Sequence, residues 1–368
     1  MNLYSNIIRP ILFQCDPERA HHFAIQTGRL LSQRPILSAI SSLYKTQDSR
    51  LNTELCGLHF PNPIGLAAGY DKSGEAIPFL ESLGFGHIEI GSVSADPSVG
   101  NPKPRLFRLP QDEAVVVHYG LQNHGAEIIS QRLNHTRHNQ PLGINIVKTN
   151  RGIDAKPDTE DDIITDYTRS INQLKHCADY LTLNLSCPNT EMGRDFFAEK
   201  THVKRFIDAL NALEIPCPVF LKISPLGGVQ AIEDILEAVD QATFVSGFTF
   251  NLPPGKHVPL TTPKSIWHNM PGAIAGKPVE SFINTCITEL YNRMDKKRYH
   301  IIGSGGVSTA HDAYHKIQLG TSLVQLLTAL VYEGPRVVRR INDGLCDLLH
   351  RDGFKSISEA VGTGSSKI

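Results

Sequence analysis

The chain has 368 residues, 40% of them hydrophobic and 20% charged, which is an ordinary globular composition and excludes a disordered or fibrous protein. Its 36 Lys and Arg residues nearly balance 37 Asp and Glu residues, giving a formal net charge of -1. This balance argues against a nucleic-acid-binding protein, because proteins that neutralise phosphates are usually basic.

The cysteines also restrict the class of protein. Seven are scattered along the chain, at positions 15, 56, 177, 187, 217, 286 and 346, and none form a C-x-x-C pair. We therefore expect a reducing compartment, with no disulfide framework and no zinc ribbon. The sixteen histidines include no H-E-x-x-H motif, and we predict no metal site.

Residues 1–46 are predicted to form two short helices. Asp16, Pro17 and Glu18 make a good helix start, and the segment Gln33 to Pro35 separates two apolar stripes. Such a unit can be a hairpin packed on the main domain, or an amphipathic platform on a membrane face. The first residues make a poor signal peptide, and no apolar run is long enough to span a membrane.

From about residue 60, apolar runs bounded by Gly, Pro or Asn alternate with helical stretches. Nearly continuous hydrophobicity is typical of parallel strands buried on both faces. The predicted strands are 63–69, 87–93, 142–148, 180–186, 219–224, 247–251, 300–306 and 322–330. The predicted helices are 75–84, 162–179, 203–214, 231–241, 279–296 and 310–320. Eight strands alternating with helices predict a (β/α)8 TIM barrel, an α/β fold whose active groups lie at the carboxyl ends of the strands.

Three strand ends carry polar groups or glycines suited to chemistry. Gly305 and Gly306 follow strand 7, where backbone N–H groups of such barrels bind phosphate. The alternative interpretation of this glycine pair is a tight turn after the strand. Lys222 ends an apolar strand and could stabilise the negative charge of a reduced flavin, or could simply be exposed.

The third of these strand ends is the segment NLSCPNT, residues 184–190. Asn184 and Asn189 flank Cys187, and asparagine offers both a donor and an acceptor to amide or carboxylate groups of a ligand. Cys187 could accept a proton if its thiol is poised, whereas an isolated cysteine is more often structural. Because two asparagines flank it, we favour a catalytic role for Cys187.

Five segments together resemble the dihydroorotate dehydrogenase family. They are residues 16–21 (DPERAH), 62–75 (NPIGLAAGYDKSGE), 100–109 (GNPKPRLFRL), 184–190 and 320–335 (GTSLVQLLTALVYEGP). The first of them is similar to the quinone-dependent, membrane-associated class. The resemblance implies an FMN-containing barrel at residues 47–368 and an N-terminal two-helix hood at residues 1–46 that forms a quinone tunnel.

The resemblance also implies roles for individual residues. It gives Cys187 as the catalytic base and Lys72, Asn184, Asn189 and Asn251 as substrate contacts. Contacts to FMN would come from Ala68, Gly69, Ser92, Asn145, Lys222, Gly276, Gly305, Gly306 and Thr328. His21 and Arg108 would line the quinone path.

Several residues depart from the family pattern. Cys187 occupies the position at which the quinone class has serine, and a thiol is the more acidic group. Val117 replaces an orotate-binding Asn, Leu121 a Phe and Gln122 an Asn, while Leu252 follows Asn251 where the family has Thr. The residues expected to contact flavin therefore match the family, whereas apolar residues replace several of the polar residues expected to contact the substrate.

These observations predict an FMN-dependent dehydrogenase acting on a CH–CH group, with dihydroorotate as substrate and a membrane quinone as acceptor. Because of these departures, an alternative function remains: a diverged relative that desaturates another carboxylate- or amide-bearing compound outside pyrimidine synthesis. An RNA-reducing flavin barrel and a non-catalytic flavin-binding protein are further alternatives. We expect a cytoplasmic protein that can attach peripherally to the inner face of the cell membrane.

Overall fold

Eight parallel strands close into a barrel in the computed structural model, which describes residues 3–152, 154–186 and 196–365. Each strand pairs with its neighbours in the sequence order expected of a (β/α)8 barrel, which confirms the predicted fold. The barrel strands are β3 (Ile64–Leu66), β4 (His87–Val93), β7 (Leu142–Ile146), β8 (Tyr180–Asn184), β9 (Val219–Ile223), β10 (Val245–Phe250), β12 (His300–Gly303) and β13 (Leu323–Leu326).

Helices cover the outside of the barrel and bury its apolar outer face. Those that follow barrel strands are α4 (Ile77–Ser82), α5 (Ala126–Leu133), α6 (Glu160–Leu174), α7 (Lys200–Asn211), α8 (Gly228–Ala238), α9 (Lys264–Trp267), α10 (Glu280–Arg293), α11 (Ala310–Gln318), α12 (Thr328–Glu333) and α13 (Val337–Asp352). Capping boxes fix the starts of α6 and α11, where Thr159 and Thr309 each accept a hydrogen bond from a backbone N–H three residues on.

The barrel interior is filled by side chains in layers. A small hairpin, β1 (Thr53–Leu55) and β2 (Leu58–Phe60), contributes to the amino-terminal layer. That buried layer contains Leu55, Phe60, Tyr180, Phe220, Ile302 and Leu323. Large rings fit in the interior because Gly65 leaves room for His87 and Gly143 leaves room for Tyr180; a Cβ at either glycine would lie within 2.2 Å of the ring.

A three-stranded antiparallel sheet lies outside the barrel and was not predicted from the sequence. Its strands are β5 (Leu106–Leu109), β6 (Ala114–Val117) and β11 (Ala273–Gly276), with β6 in the middle. Its third strand comes more than 150 residues after the second, so the sheet forms only through a non-local pairing.

The hood contains more helix than the sequence predicted. The helices α2 (Pro17–Leu31) and α3 (Arg34–Tyr44) agree with the prediction, and the carboxylate of Asp16 accepts a hydrogen bond from the N–H of Arg19 at 2.9 Å. A π-helical turn (Tyr4–Ile8) and α1 (Arg9–Gln14) precede them. Pro10 lies in the first turn of α1, where the lack of an N–H costs nothing, so it does not interrupt the segment.

Most predicted strands were longer than the observed ones, and two of them end where a helix or a glycine turn begins. The predicted strand 322–330 ends at Leu326, and Thr328 begins α12 instead, because a short apolar run does not distinguish strand from helix. The predicted strand 300–306 ends at Gly303, since Gly305 and Gly306 adopt φ values of 85° and 79° that turn the chain away. No helix among the described residues is long and apolar enough to cross a membrane.

Candidate active site

A deep cavity opens at the carboxyl ends of the barrel strands and is covered by the hood. It encloses about 1950 Å³ including its open mouth. The predicted site residues that line it are His21, Ala68, Gly69, Lys72, Ser92, Arg108, Asn184, Lys222, Asn251, Gly276, Gly305, Gly306 and Thr328. The structure therefore brings residues from the hood, seven barrel strand ends, β5 and β11 to one place.

One end of the cavity is lined by backbone N–H groups. Within the described part of the chain, the N–H groups of Gly305 and Gly306 have no acceptor, and those of Thr328 and Ala329 lie in the first turn of α12. Both groups of donors face the same cavity after strands β12 and β13. Free N–H groups at this position in a TIM barrel are a binding site for an anion such as phosphate.

Polar side chains of two neighbouring strands, β4 and β7, are connected beside the cavity. The hydroxyl of Ser92 donates to Oδ1 of Asn145 at 2.5 Å, and Nδ2 of Asn145 donates to Glu89 at 3.0 Å. Asn145 is completely buried and is not among the residues that line the cavity, so its contact with a cofactor stays a prediction. It lies one layer below Ser92, so it orients the Ser92 hydroxyl that faces the cavity.

A second polar network leads to the predicted base. Asn251 donates through Nδ2 to Oδ1 of Asn184 at 2.9 Å and to the carbonyl oxygen of Ser186 at 2.7 Å. These bonds fix the last described residue before Cys187. Cys187 and Asn189 themselves lie outside the described residues, so their roles stay predictions.

Lys222 presents a cation to the cavity. It is the fourth residue of β9, and its ammonium pairs with no carboxylate among the residues that the structure describes. An unpaired cation in a largely enclosed site is costly unless a ligand supplies negative charge. This arrangement suits a cofactor or substrate that gains charge during the reaction.

A second lysine lies where the hood meets the barrel. Nζ of Lys72 is 3.3 Å from Nε2 of His21 on α2 and 4.0 Å from the centre of the Tyr119 ring. Burial lowers the pKa of Lys72 to about 8 and lowers the pKa of His21 well below its usual value. His21 is therefore neutral near pH 7 and accepts the hydrogen bond from the lysine ammonium.

A buried ion pair holds the start of α2 against the barrel. The guanidinium of Arg105 donates to the carboxylate of Glu18 at 2.8 Å, and it also binds the carbonyl oxygens of Val99 and Asn101. The same guanidinium donates to the side-chain oxygen of Gln122, which lines the cavity. Burial raises the pKa of Glu18, but the hydrogen bonds and charge of Arg105 outweigh it and hold that pKa below its usual value.

Arg108 lies further out, under the first hood helix. Its Nη1 donates to the carbonyl oxygen of Cys15 at 3.0 Å, and its guanidinium lies 4.6 Å from the centre of the Phe13 ring. His21 and Arg108 thus lie along one passage from the strand ends to the hood. The sequence motifs contained Glu18 and Arg105 but not Tyr119, and nothing in the sequence signalled that these three residues meet there.

The wall near the substrate side is partly apolar. Val117, Leu121 and Leu252 line the cavity together with Gln122. These are the positions at which the sequence departs from the family pattern. The side-chain oxygen of Gln122 is used by Arg105, so only its amide N–H groups are free to face a ligand.

Comparison with known proteins gives a consistent result. The sequence model of the family Dihydroorotate dehydrogenase matches residues 50–349. The chain is 36% identical to "Dihydroorotate dehydrogenase (quinone)" of Natronomonas pharaonis, over 98% of this chain and 99% of the relative. It is 37% identical to the protein of the same name from Roseiflexus sp., over 98% of each. A crystal structure of ligand-free DHODH from Eimeria tenella superposes with a TM-score of 0.82 at 28% identity, covering 95% of this chain and 99% of that one.

Proposed function

The chain belongs to the dihydroorotate dehydrogenase family, and from this membership we propose that it oxidises dihydroorotate to orotate in pyrimidine biosynthesis with a quinone as electron acceptor. The observation that carries the proposal is the network of Asn184, Asn251 and Ser186, in which Asn184 and Asn251 line the same cavity as Lys72 and Ser186 directly precedes Cys187 in the sequence. Dihydroorotate is a ring that carries amides, a carboxylate and a removable proton. Side-chain amides can bind the ring amides, a lysine cation can pair with the carboxylate, and an acidic thiol can take the proton.

The residues at the phosphate end and floor of the cavity fit flavin mononucleotide. The free N–H groups of Gly305 and Gly306 and the first turn at Thr328 would hold the phosphate, and Ser92 and Lys222 would contact the ring. When bound, the flavin supplies a two-electron acceptor that takes a hydride from the substrate and returns the electrons to a quinone. The unpaired ammonium of Lys222 would stabilise the negative charge that develops on the reduced ring.

This chain's own groups would bind the substrate and move the proton. Lys72 would pair with the carboxylate, and Asn184 and Asn251, with Asn189, would bind the amide edges of the ring. Cys187 would take the proton from the carbon next to the carbonyl, while the hydride leaves the adjacent carbon and a C=C bond forms. The bonds from Asn251 support this role, because they hold the backbone directly before Cys187.

The apolar wall does not favour a different substrate class by itself. Val117 cannot hydrogen-bond the ring, but the free amide N–H groups of Gln122 remain on the same side of the cavity. Relatives named for dihydroorotate match nearly the whole chain, which supports dihydroorotate over a diverged substrate.

The hood would deliver the quinone. His21 and Arg108 line the cavity, and the hood exposes apolar side chains to the outside: Leu3, Ile7, Ile11, Phe23, Leu30 and Leu43. Apolar side chains arranged in this way support peripheral attachment to the membrane that contains the quinone.

The test is anaerobic mixing of the flavin-loaded protein with dihydroorotate, followed by a soluble quinone analogue. We expect dihydroorotate to bleach the flavin absorbance and the quinone to restore it. A flavin that stays oxidised with dihydroorotate would exclude it as the substrate, whichever quinone is then added.

A further inference from the structure

The contact between Lys72 and His21 joins the proposed substrate site to the proposed quinone passage. Lys72 follows barrel strand β3 and faces the substrate, whereas His21 lies on hood helix α2 beside the quinone passage. We propose that the hood completes the substrate site: His21, with the ring of Tyr119, is a positioning residue that holds the Lys72 ammonium for the substrate carboxylate. The proposal rests on the proposed function for the identity of that substrate.

The geometry leaves the lysine free to bind a ligand. An ammonium has three N–H donors, and one is directed to Nε2 of His21 at 3.3 Å. The Tyr119 ring lies 4.0 Å from Nζ, within the range of a cation–π contact. A long, flexible lysine side chain held from two sides loses less conformational freedom when a carboxylate binds.

His21 is itself held in place by its neighbours. Its ring packs edge-on against the Tyr70 ring, with 5.0 Å between the two ring centres. Arg105 lies 5.5 Å from the Tyr119 ring and binds Glu18 one turn before His21. The pair of Glu18 and Arg105 therefore sets the position of α2 relative to Tyr119 and Lys72.

The charges around Lys72 determine the pH range in which the arrangement matters. Burial lowers the pKa of Lys72, the carboxylates of Asp71 and Glu18 raise it, and Arg105 lowers it further. The result is a pKa of about 8, so the ammonium is lost as the pH rises through that value. Affinity for a carboxylate substrate should then decrease above about pH 8 and be fully present below it.

The decisive experiment measures the reductive half-reaction of the flavin-loaded, full-length enzyme, in which no quinone takes part. Stopped-flow reduction by dihydroorotate, recorded from pH 6 to 9, gives the substrate Kd for wild type, His21→Ala and Tyr119→Leu. The matched control is His22→Ala, because His22 is the adjacent histidine of α2 and is exposed.

We expect His21→Ala and Tyr119→Leu each to raise the Kd for dihydroorotate about fivefold at pH 7, the effect of losing one hydrogen bond or cation–π contact. The pH at which the Kd begins to rise should also move down, because the ammonium loses a stabilising partner. A Kd and pH profile for His21→Ala equal to those of His22→Ala, with only the KM for quinone changed, would overturn the proposal.

A second measurement does not depend on the substrate. The Lys72 side chain is titrated by NMR in protein labelled with ¹³C-lysine, its signal being assigned through Lys72→Arg. The midpoint should decrease in His21→Ala and Tyr119→Leu and stay unchanged in Tyr119→Phe, which keeps the ring. If dihydroorotate fails to reduce the wild-type flavin, the proposed function fails; an unchanged Lys72 midpoint in His21→Ala refutes the coupling on its own.

Discussion

Lys222 and Lys72 line the same cavity, but the surroundings of their ammonium groups differ. Lys72 is held by a neutral histidine and an aromatic ring, whereas Lys222 has no partner among the described residues. An unpaired cation is suited to charge that appears only during the reaction, and a held cation is suited to a charge that the substrate already carries.

The first prediction concerns Lys222. Replacing it by Met keeps most of the side-chain volume but removes the charge that would stabilise the reduced ring. We expect flavin reduction by dihydroorotate to slow about 100-fold, the usual effect of losing one preorganised electrostatic contact. Stopped-flow absorbance measures this rate, with Lys204→Met, an exposed lysine of α7, as the control. A reduction rate equal to that of the control would contradict the role.

The second prediction concerns Cys187. With the thiol gone in Cys187→Ala, the substrate proton has no positioned acceptor, so flavin reduction should slow at least about 100-fold while the flavin stays bound. Cys177→Ala, which removes a half-buried thiol at the opposite end of β8, should behave like wild type. Equal bleaching in Cys187→Ala and wild type would exclude Cys187 as the base.

How far the site could be predicted differs from residue to residue. Asn184, Lys222 and Asn251 were predicted because the barrel rule places strand ends at one rim, so position along the chain is enough. Glu18, Arg105 and Tyr119 were not, because their contact depends on how the hood lies on the barrel, with 87 residues between Glu18 and Arg105. Asn145 was identified, but its place one layer below Ser92 depends on side-chain packing.

The strands of the barrel could be predicted from the sequence, whereas the three strands of the outer sheet could not. The barrel strands were predicted because they are apolar runs that alternate with helical stretches, whereas β5, β6 and β11 lie outside this alternation. The pairing of β6 with β11 spans more than 150 residues of chain and leaves no local pattern in the sequence. Yet β6 and β11 place Val117 and Gly276 in the cavity, so the missed sheet shapes the site.

The third prediction concerns the attachment of the hood at α2. Glu18→Gln removes the anion from a nearly buried ion pair and leaves the Arg105 charge uncompensated. Breaking such a pair from one side costs about 3 kcal/mol. Urea denaturation should therefore show a lower free energy of unfolding or an early transition of the hood. Glu127→Gln, at an exposed glutamate of α5, is the control, and equal curves for the two variants would contradict the role of the pair.

At the scale of the whole molecule, the balanced charge of the sequence predicts how the protein attaches to membranes. The hood exposes Phe23 and Leu30 but has few basic residues, so attachment should rest on apolar burial. We expect binding to neutral lipid vesicles that detergent reverses and that 0.1 to 1 M salt leaves unchanged, measured by flotation. Release of the protein by salt would show an electrostatic attachment instead.

The whole molecule brings together a barrel, whose cavity we propose to bind flavin and substrate, and a hood, which contacts Lys72 through His21. Its central activity is a coupled transfer of two electrons from dihydroorotate to a quinone. The most direct measurement is the steady-state ratio of orotate formed to quinone reduced by the flavin-loaded protein. We expect one orotate for each quinone reduced, and none in protein stripped of flavin. Quinone reduction without orotate formation, or no turnover of dihydroorotate at all, would contradict it.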